Sequence, residues 1–564
     1  MNFLIFTLSY FLILISVVGY GLIFKSSVYK NQKKINLGYT GVLGLFILII
    51  YSYLSSFFFA HTIIHNTIVL IAGIFFFIIR TKKNLTNNKF EYIVFFLLFL
   101  ILFIGSLVYK TNEDFPYYHF NYTMLLTERS SLIGIGSFNH GFRTPSSLFY
   151  INSLFYLPFI KFYSFHMAAI LIMGFSNYIL LQKIQSAIKK NKFNFITYLS
   201  LLSFIFINIV FYRIAEHGTD RSAQILVLIL VIELLILINF FKKDQYKKIL
   251  KKILILVGII ASLKAFYILY LIFIVYLLFF LNKKIYFFKI IRDNFLYFFL
   301  LSLLIILVLI INLQNSGCFL YPVNLTCILS LPWAFSQEEL NLMSIHYETW
   351  AKGGAGPGFK VEMDSKIYIS NFNWVENWIK IYFYEKGLNT IFGITAISLV
   401  TFFVFFSKKK LVNEQRNYKI IYFIIFFLLI EWFWKHPSFR YGGFCLFALL
   451  IYLPSSLLIE KYYHKRYKLK LISLVLISLI VFFGRNIHRI VKEVEKYNYQ
   501  PIMEVFYHVN LSGNENFFST NKDINHLIFK FNKCKLLAYP NTNQCNNVNK
   551  KVGEIYGKYF FKSR

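Results

Sequence analysis

Glu113 and Asp114 stand side by side in the stretch 110–150, KTNEDFPYYHFNYTMLLTERSSLIGIGSFNHGFRTPSSLFY, with His119, His140, Arg129 and Arg143 nearby. An apolar run, 92–109, precedes this stretch and another apolar region follows, so few parts of the chain are as polar. A carboxylate directly after a membrane exit lies where water meets the lipid headgroups. There it can serve as a base on a hydroxyl beside a lipid-borne leaving group. The plainer alternative is a solvated loop whose charges only keep it in water.

Charges at the ends of apolar runs are informative, because each costs energy unless it is solvated, paired or functional. Beyond Glu113, Asp114 and His119, four places qualify. They are the tight turn Glu216, His217, Gly218, Thr219, Asp220, Arg221; Lys264 alone in ASLKAFY; the turn WKHPSFRY with Lys435, His436 and Arg440; and His140 with Arg143. A carboxylate among several cations is what transfer from a polyprenyl-phosphate sugar requires. The carboxylate deprotonates the acceptor, and Lys, Arg and His neutralise the phosphate as it leaves. The substrate-binding candidates are therefore His119, His140, Arg143, His217, Asp220, Lys264, His436 and Arg440. Each has a blander role available. Asp220 can pair locally with Arg221, Lys264 can snorkel to headgroups, and Arg440 can anchor to phospholipid. Glu233, deep within the run 222–241, calls for a partner inside the bundle that the sequence does not name.

The chain that must position these residues has 564 residues, 57% hydrophobic, 20% aromatic and only 15% charged. A soluble protein of this size needs more charged surface, so the class is an all-α polytopic membrane protein. The formal charge of +34 does not point to nucleic acid, because the basic residues recur as short clusters between apolar runs. That is the pattern of cytoplasmic loops facing anionic lipid.

Runs long enough to span a bilayer lie near 3–24, 38–58, 62–79, 91–109, 165–184, 194–212, 222–241, 248–263, 265–281, 294–313, 389–406, 418–434, 441–459 and 469–484. The expected count is about 14, within 12–16. The first run lacks a basic leader and reads as a retained span. Basic clusters around Lys30, Lys82, Lys189, Lys247, Lys284, Lys409 and Lys465 mark alternate loops as cytoplasmic. The long loops then all face outward. The expected organisation is N-terminal spans over 1–109, a first large outer loop with interfacial helices over 110–164, and a transmembrane core over 165–313. A second large outer loop over 314–388, C-terminal spans over 389–484 and a small outer tail domain over 485–564 complete it.

GIGSFN at 134–139 follows no strand and opens no helix, and KGGAGPG at 352–358 lacks Walker spacing, so neither supports nucleotide binding. No cofactor or metal is expected. Cys318 and Cys327 lie in one outer loop and Cys534 and Cys545 in the tail, each pair close enough for a local disulfide in an oxidising compartment. Cys445 reads as a small packed residue.

An Asp just after an early span, in a long outer loop before an outward-facing bundle, resembles the GT-C superfamily of integral-membrane glycosyltransferases. EDFPYYHF, GIGSFNHGFRTPSSLF, SLKAFYILYL, NSGCFLYPV, WKHPSFRYG and the paired tail cysteines also resemble an uncharacterised family of bacterial polytopic membrane proteins found with surface-polysaccharide functions. In GT-C enzymes the first-loop acid is the catalytic base, which implies Asp114, with Glu113 as the neighbouring option. The loop follows the first span in that superfamily, whereas several spans precede it here. The implied activity is sugar transfer from a polyprenyl-phosphate donor to an envelope glycan, lipid or protein acceptor, on the outer face of a bacterial cytoplasmic membrane. The partners are then membrane lipid, the lipid-linked sugar and its acceptor, with no nucleic acid. An O-antigen polymerase or ligase would lean on outer-loop Arg and His instead. A transporter or flippase would carry inverted repeats, and none is visible.

Overall fold

A backbone inside a bilayer has no water to bond to, so each apolar run must satisfy its own amides, and a helix does this locally. The computed structural model describes residues 3–28, 36–81, 89–112, 114–137, 139–356, 359, 361–408, 416–462, 467–502, 552–555 and 558–561. Among these the regular secondary structure is helical, joined by turns and irregular loops. Among the described residues the strand elements are a two-stranded antiparallel hairpin, Val552–Ile555 with Lys558–Phe561.

Eleven described helices are long and apolar enough to cross a membrane, which makes this a multi-pass membrane protein. The other three expected runs are also helical but fall short of that standard for visible reasons. Phe195–Val210 has 16 residues and Lys419–Lys435 has 17. Tyr246–Leu263 carries Lys247, Lys248, Lys251 and Lys252 in its first two turns.

Phe162–Lys190, Asp220–Asn239 and Leu37–Ser56 form the centre, with 94%, 89% and 78% of their most apolar windows buried, whereas Ile63–Thr81 stands at the edge with 17%. Central helices can afford polar side chains only where these meet each other. Asn177 and Asn208 exchange amide hydrogen bonds of 3.1 and 3.0 Å. Glu233, 1% exposed, is enclosed by Lys183, by Lys252 at 3.3 Å and by the Tyr39 hydroxyl at 2.5 Å, the partners the sequence left open. Small residues bring the N-terminal helices into backbone contact, as lipid-embedded packing favours. A Cβ at Gly44 would lie 1.9 Å from the Val17 carbonyl oxygen.

The first large loop is packed rather than solvated, against its plainer reading. Phe115–His119 winds as a π-helix into Phe120–Glu128, whose residues from Phe120 to Thr127 are all buried. Its Phe, Tyr, Met and Leu side chains account for that. The second loop folds over the turn before Gly443–Glu460. Trp378 donates Nε1–H to the Pro437 carbonyl at 2.7 Å, and the Tyr382 hydroxyl accepts from the Phe439 amide at 2.8 Å.

Two expected boundaries fall inside helices. The span counted from 389 starts earlier, as Val375–Phe405, and Tyr467–Tyr497 runs unbroken through Gly484. In the second case no Pro or further Gly follows Gly484 before Pro501, so nothing in the chain breaks the helix there. Asn486, Arg489, Glu493 and Tyr497 face the protein at helical spacing, so polarity changes there without a break in the helix.

Candidate functional site

Four of the sequence candidates come from different elements and meet at one end of the bundle. Asp220 is the first residue of Asp220–Asn239, where a carboxylate faces the positive end of the helix. Gly218 precedes it with φ of +53°, and a Cβ there would stand 2.8 Å from the Asn112 amide nitrogen. Lys264 is the extended residue that ends Tyr246–Leu263. Arg440 lies in the short 3-10 turn Phe439–Tyr441, closed by Gly442 at φ of +109°. Asp114 leads into the π-helix Phe115–His119.

Lys264 Nζ donates to Asp220 Oδ1 at 2.5 Å, and Arg440 Nε donates to Asp220 Oδ2 at 3.0 Å. The other arm of the guanidinium, Nη2, donates to Asp114 Oδ2. Arg440 thus bridges two carboxylates that lie 106 residues apart in the sequence. Gln224, one turn below Asp220, holds the arginine's own turn. It donates to the Arg440 carbonyl at 3.0 Å and accepts from the Cys445 amide at 3.0 Å. Tyr441 lies under Lys264 at 4.5 Å, and Trp350 and Tyr441 flank Arg440 at 5.7 and 5.6 Å. The side chains of Asp114 and Arg440 keep 25% and 34% of their surface accessible, so the cluster can be reached from outside.

Burial works against ionisation of Asp114, but the Arg440 guanidinium outweighs it and holds the carboxyl well below the usual carboxylate range. His119 is buried beside the cluster, and burial pushes its imidazole down to about 4. Its Nε2 has no hydrogen-bond partner among the described residues. At neutral pH the site therefore holds two carboxylates against Lys264 and Arg440, with a neutral imidazole alongside.

Of the remaining candidates, His217 and Arg143 are engaged elsewhere, and His140 and His436 stand at the edge of the cluster. His217 is buried and its Nε2 bonds the Phe211 carbonyl at 2.6 Å, so it braces its own turn. Arg143 donates to the Tyr321 hydroxyl at 2.5 Å and to the Gly136 carbonyl at 3.2 Å, stacked over Phe335 at 4.3 Å. It ties the first loop to the second. His140 is exposed, with its ring 6.3 Å from that of Tyr347. His436 is half-exposed beside Phe266 at 5.8 Å, on the rim of the cluster. Cys318 and Cys327 are disulfide-bonded, and Cys445 is free and buried. Glu113, Cys534 and Cys545 lie outside the described residues.

Trp350 and Gln224 belong to the site without having been read from the sequence, and Tyr441 was read only as the end of the WKHPSFRY turn, with no role of its own. In a chain with this much Phe and Tyr, two more aromatic residues carry no signal. Gln224, four residues after Asp220, could have been noticed as a polar residue on the same helix face.

Fold and site together define a multi-pass helical membrane protein with an accessible ionic cluster at one end of its bundle. Residues 1–447 match a family described as a domain of unknown function (DUF8201), and the chain belongs to that family. No curated protein and no solved structure matches the chain.

Proposed function

We propose that the protein is a glycosyltransferase of the GT-C kind. It moves a sugar from a polyprenyl-phosphate donor to an envelope glycan, lipid or protein acceptor on the outer face of a bacterial cytoplasmic membrane. In this reading all fourteen apolar helices span, and the basic loops lie in the cytoplasm. The observation that supports it is the meeting of Asp114, Asp220, Lys264 and Arg440 in one accessible cluster.

Asp114 is a weak base while Arg440 holds it. A donor phosphate competes for Arg440 and Lys264, and as the guanidinium turns to the phosphate, Asp114 loses the partner that suppresses its basicity. The acceptor oxygen then forms its bond to the anomeric carbon, and its proton passes to Asp114. The bond from anomeric carbon to phosphate oxygen breaks, and its electron pair leaves on the phosphate. Lys264 and Arg440 stabilise that charge. Asp220 keeps both cations in place between turnovers. An O-antigen polymerase or ligase reading fits less well, because the Arg143 it would use is already engaged with Tyr321 and Phe335.

The test is the surface glycan of the host bacterium with the gene deleted and then restored. The proposal expects one glycan, glycolipid or glycoprotein to lose a sugar on deletion and regain it on complementation. An unchanged profile across all three classes would contradict it.

A further inference from the structure

A cleft of about 550 Å³ opens along the C-terminal part of Tyr467–Tyr497, lined by none of the four residues of the ionic cluster. Its walls are the turn 212–216, Lys110 and the last four turns of Tyr467–Tyr497. The volume lies within the range of small-molecule sites. The lining is strongly basic, with six Lys and Arg side chains and His488 against Glu216 and Glu493 alone.

Both glutamates are already engaged. Glu493 accepts from Arg489 Nε at 2.6 Å and from the Tyr109 and Lys110 amides at 2.7 and 3.0 Å. Glu216 faces Arg489 at 3.1 Å and Arg213 at 3.5 Å. Lys110, Lys492 and Lys496 have no carboxylate partner among the described residues, while Arg485 donates Nη1 to the Ile209 carbonyl at 2.7 Å and lies over the Tyr212 ring at 3.7 Å, also without a carboxylate. Arg489 leaves its Nη1 buried, without an acceptor among those residues. Glu216 Oε1 is likewise buried without a hydrogen bond, so the case for a ligand rests on the excess of positive charge, six Lys and Arg against two carboxylates.

The depth of the cleft says which anion. Arg485 comes 18 residues after the start of its helix. At 1.5 Å per residue that is about 27 Å, close to the ~30 Å hydrocarbon thickness of a bilayer, so Arg485 begins at the headgroup level. The outward face of the same helix is apolar on both sides of that point. Ile480, Phe483, Ile487 and Val491 share one face and are 68%, 41%, 43% and 49% exposed. Arg485, His488, Lys492 and Lys496 repeat the same spacing on another face. A basic stripe and an exposed apolar stripe on one helix, at headgroup depth, match an amphiphile rather than a soluble anion.

We propose that this cleft docks the phosphate head of a membrane lipid, with the lipid chains against the exposed apolar face of Tyr467–Tyr497. The site is separate from the Asp114 cluster and does not depend on any transferase activity. Two of its wall residues are close in sequence to the cluster, Lys110 four residues before Asp114 and Glu216 four before Asp220.

The test uses the full-length protein in detergent and native mass spectrometry. The probes are dioleoyl phosphatidic acid, dioleoylglycerol with the same chains and no phosphate, and inorganic phosphate. Phosphatidic acid is expected to bind about tenfold or more tightly than dioleoylglycerol, and inorganic phosphate is expected not to displace it. The triple variant Arg485→Gln, Lys492→Gln, Lys496→Gln changes only exposed side chains and should weaken phosphatidic acid binding about tenfold or more. Lys189→Gln with Lys190→Gln, at the far end of the bundle, should leave binding unchanged. If the triple variant does not accumulate, Lys110→Gln with Arg213→Gln on the opposite wall carries the same expectation. Equal binding of the two lipids, displacement by inorganic phosphate, or unweakened binding in the cleft variants would each overturn the proposal.

Discussion

Removing Arg440 and Asp114 singly and together measures the bridge at the centre of the site. Arg440→Gln deletes contacts to both carboxylates, but Lys264 still neutralises Asp220, so the orphaned charge is Asp114. Leaving one member of a fully buried pair costs roughly 3–5 kcal/mol. Here the partners are 25% and 34% accessible, and solvent screens them, so about 2 kcal/mol is the better figure. Asp114→Asn leaves Arg440 with Asp220 and should cost about 1 kcal/mol. The double variant orphans neither charge. Its cost should be about 1.5 kcal/mol rather than the sum of the single costs, a coupling of about 1.5 kcal/mol. The assay is equilibrium unfolding of all four proteins in mixed detergent micelles. Since Arg440 lowers the folded-state pKa of Asp114, this stabilisation is complete above the ordinary carboxylate range and is lost only as pH falls through the depressed value. The coupling should therefore hold steady from about pH 5 to about pH 8. Costs that add to within about 0.5 kcal/mol would refute the bridge.

Three further outcomes follow from the same structure. Burial lowers His119 to about 4 and His217 to about 3, so below the ordinary imidazole value the unfolded chain binds more protons than the folded one. Stability should fall as pH drops from about 6.5 toward 4, and His119→Gln should flatten that slope in the same unfolding assay. Glu233→Gln strands Lys183 and Lys252 in the bundle and should destabilise by roughly 3 kcal/mol, with Lys183→Met added to it recovering part of the loss. Reporter fusions after residues 245 and 350 should read opposite sides of the membrane, 245 cytoplasmic and 350 external, and the reverse reading would invert the proposed sidedness.

Where the helices lie was legible because a lipid-embedded backbone has few alternatives, and each expected apolar run is helical. The convergence of Asp114, Asp220, Lys264 and Arg440 was legible for a related reason: charges at the ends of apolar runs need partners, and those ends gather at one surface. Which charges meet was not legible. Arg143 and His217 look like site residues in sequence, yet a neighbouring tyrosine and a backbone carbonyl claim them through tertiary contacts no spacing reveals. The ion pairs of Arg489 were hidden because residues past Gly484 read as the start of a tail. A helix that changes from apolar to polar without a break leaves no mark of its continuity in composition alone. Glu233 shows the same limit in the bundle, since its partners come from helices 194 and 50 residues before it and 19 after it.

The most direct measurement of the central claim is sugar transfer in a deletion strain complemented with Asp114→Asn, with Glu113→Gln as its neighbour control, read by glycan profiling with membrane expression checked. Loss of a general base lowers rate on the order of 10²–10⁴-fold, so Asp114→Asn should leave the glycan at the deletion phenotype while Glu113→Gln restores it. Full restoration by Asp114→Asn would contradict the account: if Glu113→Gln then failed, the base would be Glu113, and if both restored the glycan, neither acid would be the base.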